Sequence, residues 1–142
     1  MVQKILDAVT KQIYTTFKYE RIYTDEVIQG VEIPYAYVIA NPSPRVKLAG
    51  DRYSETTTVS VVIEIEESPE MFDNLRVIGS QLEDLLEYIT LKDGDKLRGD
   101  NFHIGTQNGY LDLTVDYSYF IRKVNTADEM MQNVTTNVTV DD

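Results

Sequence analysis

Between residues 2 and 17 the apolar side chains Val2, Ile5, Leu6, Val9, Ile13 and Phe17 recur at steps of three and four. A helix gathers that spacing onto one face, so an amphipathic helix is predicted there. Residues 21–24 and 34–40 (Pro-Tyr-Ala-Tyr-Val-Ile-Ala) are rich in β-formers and punctuated by Gly30 and Pro34, which predicts two strands. From Tyr53 to Glu66 the period becomes two: Val59, Val61, Ile63 and Ile65 are apolar while Thr58, Ser60, Glu64 and Glu66 are polar. That alternation predicts a strand with one covered face. Ser68-Pro69-Glu70 then offers a cap, a proline for the first helical position and an acid near the positive end of a helix dipole. The stripe Met71, Leu75, Ile78, Leu82, Leu85, Leu86 and Ile89 predicts a second helix, stopped before Asp93-Gly94-Asp95 by a glycine able to turn left-handed. Burying that stripe contributes at most roughly 10 to 20 kcal/mol, at about 1.5–3 kcal/mol for each large side chain.

Beyond it, Phe102 and Ile104 precede Asn108-Gly109, and Leu111, Leu113, Val115, Tyr117, Tyr119 and Ile121 alternate after it. Asn-Gly between alternating runs predicts a hairpin, because both residues accept positive φ. Residues 41–52 hold Pro42, Pro44 and Gly50 and few β-branched residues, so they read as a projecting loop. Residues 126–133 suggest a short helix, and residues 134–142 form a threonine-rich and valine-rich tail with strand propensity but no evident partner in its own chain. The expected fold is a single α+β domain. It has a mixed, mostly antiparallel sheet of about five strands with two main helices on one face, plus a short C-terminal helix and an extended tail.

Composition narrows the function. The 142 residues fit one domain with a real core. The formal charge of −11 disfavours general binding to nucleic-acid phosphates or anionic lipid. A local exception is Arg45, Lys47 and Arg52, three cations in a short stretch that contains one acid, Asp51. Without cysteine there is no disulfide, thiolate metal site or cysteine nucleophile. The start, Met1 to Asp7, lacks the apolar core of a signal peptide, and no apolar run is long enough to span a bilayer. Neither secretion nor membrane spanning is expected.

Motifs for chemistry are weak. His103 has no second histidine with which to build a zinc site or an oriented base, and a structural role is expected for it. The serines lack a nucleophile-elbow context, and no glycine-rich phosphate loop occurs. Glu64, Glu66 and Glu67, like Asp93 and Asp95, read as solvated acids. Asp93-Gly94-Asp95 lacks the further acids of an EF-hand loop. Arg98-Gly99-Asp100 and the sequons at Asn133 and Asn137 match adhesion and glycosylation signals whose extracellular context nothing supports. Ten tyrosines and no tryptophan remain. Several of the tyrosines alternate on predicted strands, some as core and others suited to an interface.

Two stretches carry a resemblance. One is Ile22-Tyr23-Thr24-Asp25-Glu26-Val27 with Gln29-Gly30, Pro34, Asn41-Pro42 and Gly50-Asp51-Arg52-Tyr53; the other is Asp93-Gly94-Asp95 with Leu97-Arg98-Gly99. In order and spacing the chain resembles the tail terminator family of Gram-positive bacteriophages and prophages. The similarity extends to about residue 124 and includes Asp7-Ala8 in the opening helix. The chain departs from the family pattern in its cysteine and aromatic content around residues 34–40 and in a longer threonine-rich C-terminus. These departures touch packing and docking.

The resemblance implies a structural subunit, without catalysis or cofactor, that assembles as a ring, usually a hexamer, on the end of the tail tube. The ring stops tube elongation and offers a surface to the neck or head. The implied partners are copies of itself, the tail tube protein, and sheath, neck or collar proteins, with DNA only as cargo through the lumen and no membrane. Its implied place is the tail of a virion or phage-like particle assembled in the bacterial host cytoplasm. The expected division is a domain over residues 1–125 and, over residues 126–142, a helix and extended interface arm. Interface contacts are expected from Asn41, Pro42, Arg45, Lys47, Arg52 and Tyr53, from Arg98, and from Met130, Met131, Val134, Val138 and Val140. Two alternatives stay open: another neck, collar or head-completion protein, and a small enzyme or ligand-binding module built on His103 and nearby acids.

Overall fold

The two longest alternating stretches of the chain pair with each other. In the computed structural model, which describes residues 1–19, 21–24, 32–107 and 109–122, strand β4 (Arg52–Glu64) and strand β7 (Tyr110–Arg122) are each 13 residues long. They run antiparallel in unbroken register from Arg52↔Arg122 to Glu64↔Tyr110. Because side chains alternate, this register sets Val59, Val61 and Ile63 beside Val115, Leu113 and Leu111 on one face, all fully buried.

Around this pair the remaining strands are β1 (Ile22–Thr24), β2 (Tyr35–Pro42), β3 (Val46–Lys47), β5 (Tyr88–Thr90) and β6 (Lys96–Gln107). The sheet order is β1-β2-β4-β7-β6-β5, with β3 added onto β4. Only the β1–β2 pair is parallel; the other pairs are antiparallel. Helix α1 (Val2–Phe17) packs against β2 and helix α2 (Met71–Leu86) against β6 and β7. Ile5, Val9 and Ile13 from α1 and Leu75, Leu82 and Leu86 from α2 join Val38, Val61 and Leu113 in a single core. Both helices therefore cover the same face, and the fold is the expected α+β arrangement.

Among the described residues the sheet has seven strands, two more than the alternation reveals. The additions, β3 and β5, are two and three residues long, too short to show a period. Residues 41–52 are not a free loop. β2 continues through Pro42, Ser43 N–H donates to Thr56 O at 2.7 Å, and Val46 and Lys47 pair with Ser54 and Tyr53. The edge position tolerates both prolines, which cannot donate to a ladder.

Helix α2 begins two residues later than Ser68-Pro69-Glu70 suggests. Met71 N–H donates to Ser68 O at 3.0 Å, closing a turn that holds Pro69, and Glu70 becomes the N-cap without a side-chain cap bond. Proline's fixed φ serves the second position of a turn as well as the first position of a helix. At the other end Ile89 belongs to β5, so the stripe outruns its helix. Asp93-Gly94-Asp95 turns β5 into β6, with Gly94 at φ 98° and Leu91 N–H bonded to Asp95 O at 2.7 Å. The Asp93 carboxyl is held below its ordinary value by the Asp95 N–H and by Lys4, each 3.1 Å away. At the β6–β7 turn, Gly109 has φ 82°; Asn108 lies outside the described residues, as do residues 126–142 with the expected short helix and tail.

The C-terminal end of α2 is where the layers are joined. A helix end leaves carbonyls without intrahelical partners. Here Gln12 Nε2 donates to Leu85 O and Tyr88 O (2.9 and 3.1 Å), Tyr117 Oη donates to Leu86 O (2.6 Å), and Gly99 N–H donates to Glu87 O (2.6 Å). The approach is so close that a Cβ on Gly99 would meet Val115 Cγ2 at 2.7 Å and Leu86 O at 2.8 Å. Gly99→Ala is expected to destabilise the protein by about 1–3 kcal/mol, since a backbone carbonyl must move. Gly105→Ala, which would meet nothing within 4 Å, should change stability by less than about 1 kcal/mol. Urea denaturation midpoints of the two variants check the contrast.

Candidate assembly surfaces

No helix of the described residues is long and apolar enough to cross a membrane. Among the same residues, no three histidine, cysteine or acidic side chains come together to hold a metal ion. His103 is exposed on β6, beside an open groove of about 560 Å³ whose walls include Val62, Gly105, Tyr110, Asp112 and Thr114. Beside Gly105, which has no side chain, the groove is a furrow in the sheet, open to solvent. No hydrogen bond or ion pair among the described residues joins the histidine to an acid that could orient it as a base.

What the fold exposes instead is surface. On the side of the sheet away from the helices, Tyr35 and Tyr37 of β2 stand beside Glu64 and Val62, and Tyr23 meets Tyr35 edge-on at 6.1 Å. A polar ladder continues along this side. Thr58 Oγ1 donates to Asp116 (2.7 Å), Asn101 Nδ2 donates to the same carboxylate (3.1 Å), and Thr56 and Ser118 share a hydroxyl bond at 2.9 Å. Asn101 reaches this position because a bulge between Asp100 and His103 puts it at φ 54°.

At the far end, β4 and β7 run on beyond the ends of the β2 and β6 ladders and with β3 form a three-stranded tongue. Its base is sealed on the core side by a polar network. Thr57, the one buried polar side chain among the described residues, bonds to Tyr119 Oη at 2.8 Å; Tyr119 donates to Glu55 at 2.6 Å; and Arg45 pairs with Glu55 at 3.4 Å. Beyond that seal the tongue keeps large apolar groups in water. Val46 is 61% exposed, Phe120 66% and Leu48 38%. Register explains their grouping. Val46, Ser54 and Phe120 form one row across the three strands, and Leu48, Arg52 and Arg122 form the next. Arg52 lies 5.4 Å over the Phe120 ring, and Arg122 pairs with Asp51 at 3.2 Å.

The residues expected at interfaces divide accordingly. Asn41 and Pro42 are exposed at the end of β2. Arg45, Lys47 and Arg52 do not form one basic patch, because alternation sends Arg45 and Lys47 to the core side of the tongue and Arg52 to the outer side, beside Arg122. Tyr53 is half-buried opposite Lys47. Arg98 is exposed on β6, 4.0 Å from Glu87. Met130, Met131, Val134, Val138 and Val140 lie outside the described residues. Sequence reasoning missed Val46, Leu48 and Phe120. Phe120 carried a usable signal, as an aromatic at a polar position of an otherwise regular alternation.

Sheet, helices and tongue define an α+β fold whose prominent feature among the described residues is exposed apolar and charged surface. The sequence model of a family described as phage tail terminator protein matches residues 4–129, and the chain belongs to that family. It is a structural protein of the phage tail. No curated protein matches the sequence. Several solved structures are similar; one of them matches at 14% identity and a TM-score of 0.43, over 84% of this chain and 94% of that one.

Burial pushes the Tyr119 and Tyr35 hydroxyls from 10.0 up to about 12, with Glu55 and Glu64 adding to the rise, and burial raises Tyr117 further. Groups raised in the fold favour the neutral form. The stability they contribute is complete below pH 10 and is lost as pH climbs from 10 toward 12. Absorbance titration of phenolate should show these tyrosines still protonated at pH 11 in the folded protein and ionising together with unfolding.

Proposed function

We propose that the chain is the subunit of a ring, a hexamer, that seats on the end of the phage tail tube, stops its elongation and presents a surface to the neck. Family membership supplies the tail; the observation that carries the finer reading is the tongue. It is an extension of a rigid ladder that holds Val46, Leu48 and Phe120 in solvent, although burying large apolar groups is what ladders ordinarily do. A surface of that kind suits a protein whose partners are copies of itself and the tube protein, with sheath, neck or collar proteins beyond. Its setting is the tail of a virion or phage-like particle, assembled in the bacterial host cytoplasm.

Residues 1–125 form the docking body in this reading and residues 126–142 an arm that reaches a neighbour or the tube. Six copies carry 6 × −11 = −66 charges. An acidic lumen wall repels phosphates and lets DNA pass as cargo without sticking.

Electron microscopy of particles made without the protein separates this function from that of a neck or head-completion protein. Loss of a terminator gives overlong tubes of uncontrolled length, whereas tails of normal length detached from heads would overturn the proposal. Deleting residues 130–142 from the otherwise intact chain is expected to weaken ring formation or docking on tubes. Sedimentation and tube-capping assays read that result, and a truncated chain that forms rings and caps tubes normally would remove the role of the arm.

A further inference from the structure

A closed ring of identical subunits joined head to tail needs two different patches on each subunit, one to dock and one to receive. The outer face of the tongue is the first. It combines exposed Val46, Leu48 and Phe120 with Arg52 and Arg122, which stand directly opposite each other on adjacent strands. Like charges so placed repel. Within the chain Arg122 has Asp51 and Arg52 has the Phe120 ring, leaving Arg52 without a carboxylate partner among the described residues of its own subunit. An acidic, partly apolar surface would complete the patch.

Such a surface lies on α2. The helix turns Met71, Leu75, Gly79, Leu82 and Leu86 to the core. At 100° per residue the opposite side is centred on Asp73, Val77 and Asp84, spaced i, i+4 and i+11. Val77 is 57% exposed, and Tyr88, just past the helix end, is 56% exposed. Nothing among the described residues covers Val77. The stripe therefore places an exposed apolar side chain between two carboxylates, of which Asp73 also pairs with the exposed Arg76 at 2.9 Å, the counterpart of a tongue that places apolar side chains beside two guanidinium groups.

We propose that the outer face of the tongue docks on the exposed stripe of α2 in a second copy of this chain, head to tail, with Val46 and Phe120 against Val77 and the arginines against Asp73 or Asp84. The inference rests on the ring reading above and names the surfaces that make the ring. Charge complementarity selects a second copy as occupant, since the cationic and acidic halves of the contact are both present on every subunit. Contacts of this kind are ionic and partly desolvated, so assembly weakens with added salt.

A charge-reversal experiment on the full chain tests it, read by sedimentation over a range of protein concentrations. Arg52→Glu with Arg122→Glu should raise the dissociation constant of self-assembly at least about ten-fold, and so should Asp73→Lys with Asp84→Lys. Mixing the two variants should restore assembly, because each then offers the other a complementary contact. All four substitutions in one chain should restore it too. Far-ultraviolet circular dichroism and thermal melting check that each variant is folded.

Variants that assemble like the wild type overturn the docking, as do a mixture that fails to recover and a wild-type chain that stays monomeric at every concentration. Reversals that spare self-assembly but abolish tube capping overturn it in favour of the tube as the tongue's partner. Loss and rescue of assembly, together with tubes of normal length in particles lacking the protein, would keep this docking and remove the terminator function.

Discussion

The pairing of β4 with β7 is the constraint on which the molecule depends. Thirteen consecutive residue pairs in unbroken register fix which side chains face the helices, and a slip of one residue would turn every one of them to water. The core half of the ladder, from Thr57↔Tyr117 to Ile63↔Leu111, packs with the buried faces of α1 and α2. Beyond it, out to Arg52 and Arg122, Ile121 still touches the edge of the core while Phe120 stands in solvent. A single rigid element is thus both the floor of the core and the stem of a projecting surface. Tyr119 and Thr57 mark the boundary: Thr57 bonds to the Tyr119 hydroxyl, which donates to Glu55 and closes that end of the core.

The helices are tied to that ladder at one place. Gln12, Tyr117 and Gly99 satisfy the last carbonyls of α2 from three different elements, so the first helix, the second helix and the sheet share one junction. Buried carbonyls that find partners only in the assembled fold favour one arrangement of layers over others that would leave them bare. The result is a body whose two helices and sheet are held in one arrangement.

Much of this was legible in the sequence, and the reasons are specific. The first helix has six apolar residues at helical spacing and ends where that spacing ends, at Phe17. The alternation of residues 59–63 and 111–121 marked both central strands, because each has only one covered face. Other features were not legible. Pro69 fits a turn as well as a helix start, and Gly94 fits a hairpin as well as a helix stop, so identical residues supported either reading. β3 and β5 are too short for a period. The bulge that gives Asn101 a positive φ is set by its neighbours on β7. The candidate assembly surface was least visible of all. Arg52, Phe120 and Val46 become neighbours only through the registers of β3, β4 and β7, and the cluster of cations read along residues 45–52 was divided by alternation between two faces.

We infer that the ladder is rigid along its buried half and reserves its exposed half for assembly. Hydrogen exchange measured on the free subunit and on the subunit within intact tails tests it most directly. The amides of Val59, Val61, Leu113 and Val115 are expected to exchange slowly in both states, and those of residues 46–54 and 118–122 to become slow only within the tail. Equal exchange of the tongue in the two states, or fast exchange at Val61 and Leu113 in the free subunit, would contradict it.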